Sequence, residues 1–136
     1  MKILYLGPNE GFESISDHSS EKINLYNCPI DKNIFDKEIK DSDGLIDASM
    51  KIPINDEIEN ISNKLKVIST ATTGSDHIDI EFVESFDNVI LCFDNDKYGR
   101  EAARKVARII KPGKSKIVSL PQGFKDANVT DPILTI

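Results

Sequence analysis

Leu65-Lys66-Val67-Ile68-Ser69-Thr70-Ala71-Thr72-Thr73-Gly74-Ser75-Asp76-His77-Ile78-Asp79 reads as a strand, a loop of small residues and the start of a helix. Val67 and Ile68 centre a short apolar run, Leu65–Thr70, that suits a buried strand. Asp76 and Asp79 follow the loop and suit the positive end of a helix. A strand that passes through a loop into a helix is the repeating unit of an α/β protein with a mostly parallel sheet.

The same alternation extends in both directions. Strands are expected at Lys2–Leu6, Lys22–Asn27, Gly44–Ala48, Asn88–Phe93 and Lys116–Leu120. Asn88–Phe93 is continuously apolar, as a strand covered on both faces should be. A weak helix is expected over Glu10–Asp17. Asp31 can cap a helix holding Ile34, Phe35 and Ile39, and Asn55 one carrying Ile58, Ile61 and Leu65. Asp79–Phe86 places Ile80, Val83 and Phe86 on one helix face. Asp94-Asn95-Asp96 caps a helix over Lys97–Ile110 with Ala102, Val106, Ile109 and Ile110 inward, stopped by Pro112-Gly113. The last 16 residues read as irregular.

The chain has 136 residues, which suits one domain. Apolar residues make up 39% and charged residues 29%, an ordinary globular mix. No apolar run is long enough to cross a membrane, and the N-terminal run is too short for a signal sequence. Cys28 and Cys92 lack Cys or His neighbours at ligand spacing, so neither zinc nor a disulfide is expected and a reducing, cytoplasmic setting is. The net charge of −6 argues against a general nucleic-acid binder. Its distribution is uneven: residues 1–82 carry 8 Lys and 16 acids, residues 83–136 carry 9 Lys+Arg and 7 acids. The only arginines, Arg100, Arg104 and Arg108, fall at i, i+4, i+8 on the last long helix, with Lys97, Lys105 and Lys111 nearby. This ridge is either a phosphate-tracking stripe or the solvated face of an amphipathic helix.

Leu65-Lys66-Val67-Ile68-Ser69 followed by Gly74-Ser75-Asp76-His77-Ile78-Asp79 resembles the flavodoxin-like N-terminal half of the D-2-hydroxyacid dehydrogenases, which carry LKxIS and then GxDHID. The resemblance covers residues 1–82. It implies a strand order beginning 2-1-3-4, and it puts Ser49, Lys51 and Gly74 near a substrate carboxylate. The family's glycine-rich dinucleotide loop has no counterpart here. His77 reads as a loop-orienting group rather than a base.

Asp94-x-Asp96 directly after a buried strand can share one hard cation, and Mg²⁺ asks for one or two carboxylates. The following helix offers its N-terminus to phosphate. With Gly99, Ala102 and Lys125-Asp126-Ala127-Asn128, these residues resemble the Toprim domain of phage and mitochondrial-type primase–helicases, which carries DxDxxGxxA and later GxKDAN. The resemblance covers about residues 86–130, with Tyr98 where the pattern commonly has Ala. It implies a Mg²⁺ site at Asp94, Asp96 and Asp126. The Toprim pattern also calls for an acid on an earlier strand. Asp43-Gly44-Leu45-Ile46-Asp47-Ala48 imitates that turn, but its Asp-Gly pair precedes the strand. Asp47 is out of place in both patterns, because an apolar residue suits a buried strand.

Together the two resemblances imply one three-layer α/β/α Rossmann-like domain over residues 1–136, with a parallel sheet of five to six strands in the order 2-1-3-4-5 and the sixth beside the fifth. Residues 1–82 form the dehydrogenase-like half and residues 83–136 the Toprim-like half. The leading expectation is a designed or recombined chimera without selected activity, since each half carries an incomplete site. It requires no cofactor beyond weak Mg²⁺, needs no partner or membrane, is not expected to bind nucleic acid, and is a monomer or weak dimer. The alternatives are a Mg²⁺-dependent, nucleic-acid-acting Toprim remnant and the substrate-binding half of a D-2-hydroxyacid dehydrogenase.

Overall fold

The computed structural model describes residues 1–70, 76–86, 89–92 and 96–118. Its contacts divide the chain into two compact units, Met1–Asp79 and Ile80–Ile136. The fold is of the three-layer α/β/α, Rossmann-like class.

In the first unit, β1 (Lys2–Leu6) pairs in parallel with β2 (Asn24–Cys28) and β3 (Gly44–Asp47), and β3 pairs with β4 (Val67–Thr70). The order is β2-β1-β3-β4. The central strand is the most apolar: Leu4, Tyr5 and Leu6 are all buried. The connecting helices are α1 (Asn9–His18), α2 (Lys32–Ile39) and α3 (Glu57–Ile61). The chain steps one way from β1 to β2 and the other way from β2 to β3. Right-handed crossovers therefore put α1 on one face and α2 and α3 on the opposite face, and α2 packs against α3. Phe35, Ile39 and Ile58 bury from these two helices. Leu65, expected on the helix after Asn55, lies beyond the short α3, whose chain turns out at Ser62. Asn55 still organises that start, its side chain accepting from Glu57 N at 3.2 Å.

Close strand packing explains Gly44. A Cβ there would lie 2.6 Å from Ile3 Cδ1 and 2.9 Å from Val67 Cγ1, on the two neighbouring strands. Gly7 is forced by Tyr5, whose hydroxyl donates to Pro8 O at 3.0 Å and fills the space a Cβ at Gly7 would need. Burial pushes the Tyr5 phenol up from its ordinary range, helped by Glu10 and Asp47. Asp31 caps α2 as expected, its Oδ1 accepting from Asn33 N and Ile34 N.

The second unit holds α4 (Ile80–Ser85), β5 (Val89–Cys92), α5 (Lys97–Ile109) and β6 (Ser115–Val118). β5 and β6 pair in parallel, Val89 opposite Ser115. Strand neighbours within each unit are those expected, with 5 beside 6. Gly113 makes the turn into β6 with a φ of 86°, a conformation that disfavours any other residue. Glu84 ties this turn to α4, its side chain accepting from Lys111 N and its carbonyl from Lys114 Nζ.

Two helix faces differ from expectation. On α4, Phe82 is the buried residue and meets Phe86 edge-on at 5.3 Å, while Ile80 and Val83 are only half-buried. On α5, Gly99 and Ala103 are buried, as is Ile110 at its C-cap, Ala102 and Val106 are half-buried, and Ile109 is 51% exposed. Gly99, Ala103 and Ile110 share a spacing of four and seven, one helical stripe, and Ile109 stands about 100° away from Ile110 on a 3.6-residue helix.

Asp43 joins β1 to the chain entering β3. Its Oδ2 accepts from Lys2 N at 2.8 Å, and its Oδ1 lies 3.6 Å from Lys64 Nζ. The Lys2 amide, then Lys64, hold its carboxyl below the ordinary range. A depressed carboxyl stabilises the fold above its unfolded value, and that contribution disappears as pH falls through the folded value. Thermal melts between pH 7 and pH 2 should show Asp43→Asn less stable than the parent at neutral pH, with the difference vanishing in acid. A constant difference across that range would sink the assignment.

Candidate functional site at the carboxyl ends of the strands

Parallel registration brings the carboxyl ends of the first sheet to one level. Leu6 is paired with Cys28 and with Asp47, and Asp47 with Thr70. Open α/β sheets bind ligands at this edge. A cavity of about 310 Å³ opens here between β1 and β2, lined by Gly7, Asn9, Asn27, Cys28, Pro29 and Ile30.

The chemical centre of this edge is Asp47, which is fully buried. A buried carboxylate needs donors, and Asp47 has three. Its Oδ1 accepts from Ser49 N at 3.1 Å and from Ser49 Oγ at 2.9 Å. Its Oδ2 lies 2.6 Å from His77 Nε2. With a carboxylate as acceptor, Nε2 carries the proton of that bond. The His77 side chain is only 7% exposed, and its Nδ1 is buried with no hydrogen-bond partner among the described residues. The main chain of this segment is held as well: Ile54 N donates to His77 O, and Asp79 N donates to Ile54 O, each at 2.8 Å.

Ser49 and Lys51, expected near a substrate carboxylate, lie on the loop that leaves β3. The Ser49 hydroxyl donates to Asp47 and accepts from Lys51 N at 3.1 Å, so it closes the loop on itself. Met50 between them adopts a φ of 57°, a left-handed conformation uncommon for a side chain of this kind. The Lys51 side chain is exposed. Gly74 lies outside the described residues. His77, read from sequence as a loop-orienting group, pairs with Asp47, the residue out of place in both sequence patterns. The available signal was a charged residue inside an apolar strand, with a histidine 30 positions later, ahead of α4.

In the second unit, Asp96 caps α5. Its Oδ1 accepts from Gly99 N at 2.8 Å, and its carbonyl accepts from Arg100 N at 3.1 Å. Asp94 and Asp126, the other expected metal ligands, lie outside the described residues. Asp96 supplies a hard oxygen at a helix N-terminus, which suits Mg²⁺ as one donor of a set. Among the described residues, no three His, Cys, Asp or Glu side chains gather to hold a metal ion. Arg100, Arg104 and Arg108 are all exposed on α5, as are Lys97 and Lys105, and Tyr98 is 78% exposed.

Two family profiles match the chain, each over more than half its length. The Toprim-like family matches residues 49–130, and the D-isomer specific 2-hydroxyacid dehydrogenase catalytic domain matches residues 3–87. The chain belongs to both families, and the two matches share residues 49–87. It is 28% identical over 127 residues to the DNA helicase/primase of Enterobacteria phage T3, a match that takes in 88% of this chain and 20% of that protein. The chain thus spans about a fifth of that relative's length. The crystal structure of the TT0316 protein from Thermus thermophilus matches 93% of the chain and 58% of that protein, with a TM-score of 0.50 and 13% identity. The NAD-bound NAD-dependent formate dehydrogenase of Staphylococcus aureus has a TM-score of 0.49 and 16% identity, over 88% of this chain and 61% of that one. The likeness to the Thermus thermophilus protein concerns the fold alone. No helix among the described residues is long and apolar enough to cross a membrane.

The Asp47–His77 contact has a measurable consequence. Removing one partner of a buried polar pair leaves the other unsatisfied and costs about 3 kcal/mol. Denaturant unfolding should place His77→Ala and Asp47→Ala each about that far below the parent, with the double variant well short of the sum. Strict additivity would show the two side chains to be independent.

Proposed function

We propose that the chain is a Mg²⁺-dependent module acting on nucleic acid, with its phosphate chemistry centred on the stretch of sequence between β5 and α5. The observation that carries this reading is the helicase/primase alignment, whose 88% coverage of the chain takes in residues on both sides of that stretch. The Toprim-like match over residues 49–130 contains Asp94, Asp96 and Asp126 together, which supports the same centre. The continuous alignment favours a nucleic-acid-acting module over a fold assembled without activity.

In this reading Asp96, with Asp94 and Asp126, holds Mg²⁺. The bound ion supplies Lewis-acid polarisation of a phosphoryl oxygen. The remaining work belongs to the chain's own groups. The Asp96 cap fixes where α5 begins, so the first-turn amides and the helix dipole face incoming phosphate charge. Arg100 follows within the first turn and adds a fixed cation. Gly99 is buried at that start, which lets the helix seat closely on its unit.

The test uses substitutions that preserve the cap. Asn caps a helix about as well as Asp, so Asp94→Asn with Asp96→Asn should fold normally while losing metal affinity. Calorimetric titration with Mg²⁺ should detect binding to the parent and at least about a tenfold loss in the double variant. Cleavage or extension of a labelled DNA strand should require Mg²⁺ and fall about a hundredfold or more in the same variant. Equal Mg²⁺ binding by parent and variant would remove the site.

A further inference from the structure

We infer that the outer face of α5 is a track for single-stranded nucleic acid, with Tyr98 as a stacking platform at its start and Arg104 and Arg108 on successive phosphates. The inference rests on the nucleic-acid reading above and names the form of substrate that reading leaves open.

The helix divides sharply. Gly99, Ala103 and Ile110 are buried, and the opposite arc of Lys97, Arg100, Arg104, Lys105 and Arg108 is exposed. Glu101 is the one acid within α5. Among the described residues, Arg104 and Arg108 enter no ion pair. The arc is therefore a concentrated positive face in a chain whose net charge is −6. Residues four apart on a helix advance about 6 Å, close to the separation of neighbouring phosphates in an extended single strand. Arg100, Arg104 and Arg108 repeat that step along one line.

Tyr98 decides between a strand and any other polyanion. It is 78% exposed, two residues before Arg100 and six before Arg104, on the flank of the exposed arc that also carries Ile109, 51% exposed. A large ring held this far out of the core contributes little to folding, whereas a base can stack on it. Stacking on an aromatic side chain tolerates any sequence but needs an unpaired base. A duplex hides its base faces, and a lipid headgroup has none. The combination of a stepped cationic ridge and an exposed ring therefore selects an unpaired strand.

The test is equilibrium anisotropy with fluorescein-labelled oligothymidylate, in EDTA so that no metal site contributes. A duplex of equal length and anionic phosphatidylserine vesicles serve as rival probes. The parent should bind the single strand in preference to both. Tyr98→Ala should weaken binding about tenfold, within the range of base stacking, without altering its salt dependence. Tyr98→Phe, which keeps the π face, should bind as the parent does. Arg104→Ala with Arg108→Ala should flatten the slope of log K against log salt by about 1.4, two contacts at about 0.7 each. Circular dichroism will confirm that these exposed substitutions leave the helix intact. Unaltered binding by Tyr98→Ala, equal affinity for duplex, or arginine-dependent binding to vesicles alone would each overturn the track. Intact Tyr98-dependent binding without any Mg²⁺-dependent turnover would instead sink the reaction reading and leave the track standing.

Discussion

A carboxylate with no exposed surface sits at the end of β3, and the edge of the first sheet is arranged around it. Asp47 occupies a strand position flanked by Leu6 and Thr70, where burial strips it of water. The chain answers with donors from two directions. The loop after β3 folds back so that the amide and hydroxyl of Ser49 reach one oxygen. The loop before α4 brings His77 to the other. Met50 accepts a left-handed backbone as part of that closure, and Ile54 locks the His77 segment through two main-chain bonds. A buried polar cluster of this kind specifies one arrangement, because any shift leaves a charged group unsatisfied.

The second unit obeys a different constraint. Its longest helix is anchored by a small-residue stripe, Gly99 and Ala103, so it can lie close to its neighbours without large side chains. Asp96 fixes the start through Gly99 N, and Glu84 holds the turn beyond the end. Between these fixed points the helix exposes cations and one ring. The contrast between the units is one of sign: the first buries an acid among donors, and the second presents bases to solvent.

Much of this was legible from local pattern. Asp31 followed by a mixed apolar run was enough to place a capped helix, because capping depends only on residues two and three positions away. The continuous apolar run at Lys2–Leu6 was enough to place a central strand. The inner faces of α4 and α5 were not legible to the same degree. Periodicity finds an apolar stripe but cannot say which edge of it meets a neighbour, so Ile109 was placed inside and Gly99 was left out. Asp47 was the clearest gap. Its partners lie 2 and 30 positions away, and nothing local couples a strand acid to a histidine in a later loop.

By itself, the sequence determined the alternation of strands and helices, the capped starts of α2 and α5, and the cationic ridge, because these follow from spacing along a single element. Tertiary structure decided what a buried acid is for. The parallel register sets the end of β3 beside the ends of its neighbours, and the Ile54–Ile78 bridge carries His77 to it. A hydrogen bond between distant residues depends on where whole strands lie, and no residue's neighbours in the chain encode that position.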